Sequence, residues 1–195
     1  MKQDIKTCVI PFSKLEKVAY EYCKVENHIS DEIPEKRREK FQKQAAKVWD
    51  GIKHAEVQVE LVFVEQGTEG ASLFPKEWLE KHIEIEKKPF RVCLYCLSIL
   101  QEFSVEEKIS LQFLQDTWCS SVLLAAKDKV EQYLMMDRWR TKKVKSVAPG
   151  IEDLPLECVG LWAKVCMQVG IGVTVEPDGH MTPENSLFAA FIEIE

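Results

Sequence analysis

Two short segments in the last quarter of the chain combine residue types and spacing that chemistry could use. In Ala148-Pro149-Gly150-Ile151-Glu152-Asp153-Leu154-Pro155-Leu156-Glu157, a Pro-Gly turn precedes an Asp and a second Pro, the pattern of a turn that opens a helix. Glycine lets the backbone approach a ligand closely, and the free amides at a helix start suit a carboxylate or another oxygen-rich group. Further on, Met181-Thr182-Pro183-Glu184-Asn185-Ser186 is a turn leading into a strand. Each segment also has an ordinary reading. Pro-Gly before a capped helix is a common structural turn, and Pro183 and Ser186 can simply fix the geometry of a loop.

The thiols and imidazoles point to less. The chain has seven cysteines, at irregular spacings and in an odd number, which reads as reduced thiols in a cytoplasmic protein. Cys93-Leu94-Tyr95-Cys96 has metal-ligand spacing, but on a strand positions three apart face opposite ways. With no second CxxC to complete a zinc site, burial for packing is the expectation for all seven, and no metal is expected. His28, His54, His82 and His180 are isolated from one another; His180 stands out for adjoining Met181. A phosphate-binding GxxxxGK[ST] loop and a GxSxG nucleophile turn are absent, and Gly170-Ile171-Gly172 lacks the third glycine of a dinucleotide fingerprint.

The elements that must position these segments follow from periodicity. The first 55 residues read as helical after a short start, with Ser13 a candidate cap for a helix over Lys14 to Glu26. Its apolar residues Leu15, Val18, Ala19, Tyr22 and Val25 recur at helical spacing. Pro34 opens a second helix over Glu35 to Lys53, where the run Glu35-Lys36-Arg37-Arg38-Glu39-Lys40 reads as a solvated face or a docking patch for an acidic partner. Val57 to Val64 and Arg91 to Ile99 read as strands, the second apolar on both faces. Gly67 and Gly70 break the first, and Pro75 leads a short helix over Lys76 to Lys81. Ser104 and Glu107 form a capping box for a long helix ending near Leu134, with small residues Cys119-Ser120-Ser121 in its middle.

Arg138, Arg140, Lys142, Lys143 and Lys145 form a basic segment, read either as a solvated connector or as a steering patch. Asp153 is expected to cap a helix over Leu154 to Val169, with Pro155 in its first turn and Gly170 in a left-handed C-terminal position. Gly172 to Val175 and Leu187 to Ile194 complete the strands, joined through a Glu176-Pro177-Asp178-Gly179 turn.

Composition sets the outer bounds. A chain of 195 residues, 46% hydrophobic and 30% charged, fits one globular domain with a substantial core. A formal net charge of −6 speaks against a general nucleic-acid binder. No run approaches the roughly 20 apolar residues of a membrane helix. The first residues carry mixed charge and no apolar stretch, unlike a signal peptide.

Taken together, the two C-terminal segments resemble the signature of the activation domain of cobalamin-dependent methionine synthase. That family reads roughly Arg-x-[Ser/Ala]-Pro-Gly-Tyr-x-Asp-x-Pro-Leu-x-x-Gln, then a Gly-Ile/Leu step, then Met-x-Pro-x-x-Ser. Here the Arg position is Ser146, the Tyr position Ile151 and the Gln position Val159. The resemblance covers roughly residues 55 to 195 and is specific after residue 140. It implies an α+β fold, a curved, mainly antiparallel sheet with flanking helices, in which 1–55 is a helical N-terminal segment, part of the same domain or a separate arm, and 56–195 the activation-domain-like body. It implies S-adenosylmethionine held by Ala148, Pro149, Gly150, Ile151, Asp153, Met181, Pro183 and Ser186. Lys145 or Lys143 would stand in as a point charge for the family Arg, whose fork pairs with the ligand carboxylate.

The implied function is that of a stand-alone relative. The family traps a one-electron-reduced corrinoid by methyl transfer from S-adenosylmethionine, and here the cobalamin would sit on a partner corrinoid protein or cobalamin-dependent methyltransferase. Loss of the Arg, Tyr and Gln favours a runner-up, a non-catalytic binding or regulatory protein of the same fold docking on such a partner. An unrelated tetrapyrrole or small-molecule binder is the third reading.

Overall fold

The computed structural model describes residues 4–26, 34–64, 70–83, 91–99, 101, 109–171, 174–176 and 181–194. It is an α+β structure built on a five-stranded antiparallel sheet. The strands are β1 (Asp4–Pro11), β2 (Glu56–Val64), β3 (Val92–Ile99), β4 (Val144–Val147) and, last in the chain, β7 (Ser186–Glu193). Their order across the sheet is β1-β2-β3-β7-β4. A separate two-stranded ribbon pairs β5 (Thr174–Val175) with β6 (Met181–Thr182).

Alternating side chains of the central strands enter two cores. Val57, Val59, Leu61 and Phe63 of β2, with Cys93, Tyr95 and Leu97 of β3, face α1 (Glu16–Glu26), α2 (Glu35–Ile52) and α4 (Ile109–Tyr133). Val62, Val64, Val92, Leu94 and Cys96 face α3 (Lys76–His82) and α5 (Cys158–Met167) on the other side. A strand covered on both faces must be apolar throughout, and every residue of β3 is buried. Cys93 and Cys96 fall in opposite cores, as strand alternation requires.

α1 and α2 pack on α4. Leu15, Ala19 and Cys23 are buried in the same core as Trp118, Val122 and Ala126, and the Tyr22 hydroxyl donates to Asp128 at 2.8 Å. The N-terminal helices therefore share one core with α4 and the sheet. The short start ahead of them is a strand: β1 pairs with β2 from Asp4↔Phe63 to Pro11↔Glu56. Ser13 does not cap α1; it lies within a 3₁₀ turn, Phe12–Lys14, that carries the chain from β1 into the helix.

The basic segment is also structured. α4 ends in a π-helical turn, Leu134–Arg138, and the chain then enters β4, which pairs with β7 from Val144↔Glu193 to Val147↔Ala190. Gly170 adopts φ +76°, as expected. The amides of Gly170 and Ile171 bond back to the carbonyls of Met167 and Cys166 in a Schellman arrangement. The Ser104–Glu107 capping box, Gly67, Gly172, the Pro177-Asp178-Gly179 turn, His28 and His180 lie outside the described residues.

Candidate functional site

β4 and β7 run antiparallel, so the chain leaves β4 heading toward the end of the sheet where β7 starts; Val147 pairs with Ala190, and Ser186 lies four residues further along β7. The chain leaves β4 into Ala148-Pro149-Gly150, and β7 begins at Ser186. The register thus points the first segment along β7 toward the second.

The 148–154 turn is tight. Gly150 has φ +83°, and an added Cβ would stand 3.0 Å from Leu156 Cδ2. Both facts require glycine here. Glu152 and Asp153 also have positive φ, 51° and 61°, a rare conformation for residues with a Cβ. Three of its amides bond within the turn. Gly150 N–H donates to Leu154 O at 2.7 Å, Ile151 N–H to Ala148 O at 3.1 Å and Leu154 N–H to Ile151 O at 3.0 Å.

Asp153 corrects its sequence reading as a helix cap. Its left-handed backbone turns the chain away, Leu154 and Pro155 continue without helical structure, and α5 begins only at Cys158 with no side-chain cap. The Asp153 carboxylate instead takes Lys81 Nζ at 2.6 Å. That bond holds its carboxyl below the usual carboxylate range.

Three residues of α3 that carried no motif brace this turn. Trp78 Nε1 donates to Glu152 O at 2.8 Å, Lys81 pairs with Asp153, and His82 stacks on Trp78 with centroids 4.9 Å apart. Lys145 closes the arrangement from β4: its ammonium lies 2.5 Å from Glu152 Oε2 and 5.9 Å from the Trp78 ring centre. The hydrogen bond from Lys145 depresses the Glu152 carboxyl.

Ser146, at the family's Arg position, exchanges a hydrogen bond with Tyr95 Oη at 3.2 Å. Ile151, at the Tyr position, is exposed, as is Leu156 beside Gly150.

The second segment is equally self-contained. Met181 and Thr182 form β6, and the Thr182–Pro183 peptide is cis. Ser186 Oγ donates to Pro183 O at 2.6 Å and lies 2.9 Å from Ser98 Oγ at the end of β3. Ile99 N–H donates to Asn185 O at 2.9 Å, which ties the turn to the sheet. Met181, Pro183 and Ser186 are partly buried.

Both motifs are thus folded turns, the first braced by β4 and α3 and carrying the exposed apolar side chains of Ile151 and Leu156, the second tied to the end of β3. Among the described residues no group of three His, Cys, Asp or Glu could hold a metal. No described helix is long and apolar enough to cross a membrane. No family model matches the chain, and no curated protein matches it in sequence.

Proposed function

We propose that this chain is a stand-alone relative of the methionine synthase activation domain. It takes S-adenosylmethionine at the 148–151 turn and assists reductive methylation of a corrinoid carried by a partner methyltransferase system in the cytoplasm. The observation that supports this reading is the register that points the first motif along β7 toward the second, with Gly150 in the left-handed conformation its motif position suggests. In this reading Ala148, Pro149, Gly150 and Ile151 line one side of the ligand, and Met181, Pro183 and Ser186 the other. Asp153 acts indirectly, by anchoring the turn to Lys81.

The residues present allow weak ligand binding only. Lys145 is engaged with Glu152 and Ser146 with Tyr95, so neither offers the fork that a carboxylate prefers. Losing one charge-assisted hydrogen-bonding partner costs about 1.5–3 kcal/mol, which puts the expected dissociation constant near millimolar. Calorimetric titration with S-adenosylmethionine tests this directly; no heat and no thermal shift at several millimolar ligand would sink it.

A second reading has its own support. The turn amides are bonded internally and the exposed side chains of Ile151 and Leu156 are apolar, which suits a docking module that holds the same partner without turnover. Binding to a cobalamin-loaded corrinoid protein that is indifferent to S-adenosylmethionine would select this reading over the first.

A further inference from the structure

β1 lies at one edge of the sheet, and among the described residues β2 is its only strand neighbour. The ladder shows which of its backbone groups face outward. Phe12 N–H donates to Ala55 O at 3.2 Å, one step beyond the Pro11↔Glu56 pair. Bonded and non-bonded positions alternate along an antiparallel pair. Ile10, Cys8 and Lys6 therefore bond inward to β2, while the N–H and C=O groups of Ile5, Thr7 and Val9 point away from it. Pro11 falls in the outward set, where its missing N–H costs the ladder nothing.

Edge strands are commonly blunted by shortness or by charge. The opposite edge obeys this rule, since β4 is four residues long and carries Lys145. β1 has eight residues, and its charges turn aside. Lys6 Nζ lies 3.6 Å from the Tyr133 ring centre, and Asp4 pairs with Arg138. Both share a strand face with Ile10, which packs on the core beneath α1, α2 and α4. Ile5, Thr7 and Val9 occupy the other face, where Ile5 is 44% and Val9 53% exposed. The same three residues thus offer outward backbone groups and uncovered β-branched side chains.

This row is complementary to itself. With a twofold axis at Thr7, two copies of β1 set Thr7 against Thr7, Ile5 against Val9, Lys6 against Cys8 and Asp4 against Ile10. No like charges oppose one another. Every outward N–H from Ile5 to Val9 then meets an outward C=O of the other copy. Centring the axis on Val9 instead shortens the overlap and brings in Pro11, which has no N–H to give. A one-residue slip aims the outward groups of one copy at positions already bonded to β2 in the other.

We infer that β1 is the interface of a homodimer, in which two copies pair antiparallel over Ile5 to Val9 and join their sheets edge to edge. The twofold axis uses up both β1 edges, so the assembly closes at two chains. The 148–154 turn follows β4 at the far edge, so the dimer leaves it open and does not depend on the function proposed for it.

Sedimentation velocity on the full chain tests this. A single strand pair buries less than a standard interface, so a reversible monomer–dimer equilibrium is expected within roughly 5–500 µM. Combining Ile5→Lys with Val9→Lys opposes two pairs of like charges across the axis and should weaken dimerisation more than about tenfold. Combining Ile5→Glu with Val9→Lys sets opposite charges at the same positions and should restore it. Equal melting temperatures of both variants in dilute solution would report that β1 still pairs with β2. A parent that stays monomeric throughout, species larger than a dimer, a double-Lys variant that dimerises like the parent, or a Glu–Lys variant no better than the double-Lys one would overturn the inference.

Discussion

The Leu156 side chain closes over Gly150, with its Cδ2 only 3.0 Å from where a Cβ on Gly150 would stand. The contact explains why a residue with a large, otherwise exposed side chain follows so soon after the turn: Leu156 covers the backbone that glycine leaves bare.

A side chain at Gly150 therefore meets two penalties, the left-handed backbone and the contact with Leu156. Gly150→Val is expected to cost about 2–5 kcal/mol, summing a left-handed penalty with overpacking. That corresponds to a fall of roughly 4–20 °C in melting temperature for a domain of this size. Gly150→Ala should cost less, because an Ala methyl is smaller and Leu156 can turn aside. A Val variant that melts with the parent would show that the turn relaxes freely, and would remove it as a rigid ligand platform.

Six of the seven cysteines are buried, and Cys8, on the exposed edge strand β1, is the exception. This corrects the expectation that all seven serve packing. Native protein should react rapidly with a disulfide reagent at one thiol per chain, and Cys8→Ser should abolish that fast phase. The remaining thiols should appear only on unfolding, since burial pushes Cys96, Cys119 and Cys166 up to about 12 and denies them thiolate character. Two or more fast thiols in the native state would contradict the packing described here.

The same burial fixes the direction of alkaline instability. Cys96, Cys119 and Cys166 rise from 9.0 to about 12, and Tyr95 from 10.0 to about 12, all chiefly by burial. Between those limits the folded chain holds more protons than the unfolded one, so stability must decrease as pH rises. Denaturant midpoints should accordingly be flat below pH 9 and fall progressively above it. Cys119→Ala is expected to lose stability near neutrality and to show a shallower alkaline decline. A midpoint that rose between pH 9 and 11 would carry the wrong sign.

The basic residues between α4 and β4 divide by what they touch. Arg138 reaches Asp4 at 2.7 Å and lies over the Phe63 ring, and Lys145 holds Glu152. Arg140, Lys142 and Lys143 are exposed. In the proposed function, steering of an acidic partner, or of the phosphate and propionamide side of a corrinoid, falls to Arg140 and to the pair Lys142 and Lys143. Replacing both with Gln should slow association with a cobalamin-loaded corrinoid protein at low salt and flatten its salt dependence, read by stopped-flow mixing. Lys145→Gln should instead lower the melting temperature through the loosened 148–153 turn. Equal effects of the two variants on the association rate would argue against this division.

Much of this fold is written locally. The unbroken apolar run of β3, the helical spacing of α1 and the glycine after α5 each obey a rule that neighbouring residues suffice to state. β1 escaped detection because it is an edge strand whose first six residues are exposed. With neither face strongly covered, Lys6, Thr7 and Cys8 show no alternation to read. β4 is short and carries Lys145 at its centre, so its charge suggested a connector. Asp153 belongs to a residue type that serves both as a cap and in left-handed turns, and local sequence cannot choose between them. The bracing of the site by Trp78, Lys81 and His82 was invisible for another reason: α3 lies far from residue 150 in sequence and meets it only through the sheet's other elements.

The strand order has a temporal consequence. β7, the last described strand in sequence, is inserted between β3 and β4, and among the described residues β4 has no other strand neighbour. A nascent chain that has emerged as far as α5 holds β4 as a ribbon with nothing to pair against, and β3 with one edge bare. Unpaired edges of this kind invite association with other chains. The molecule's sheet is thus sealed by β7, which joins β4 to the rest as a keystone joins an arch.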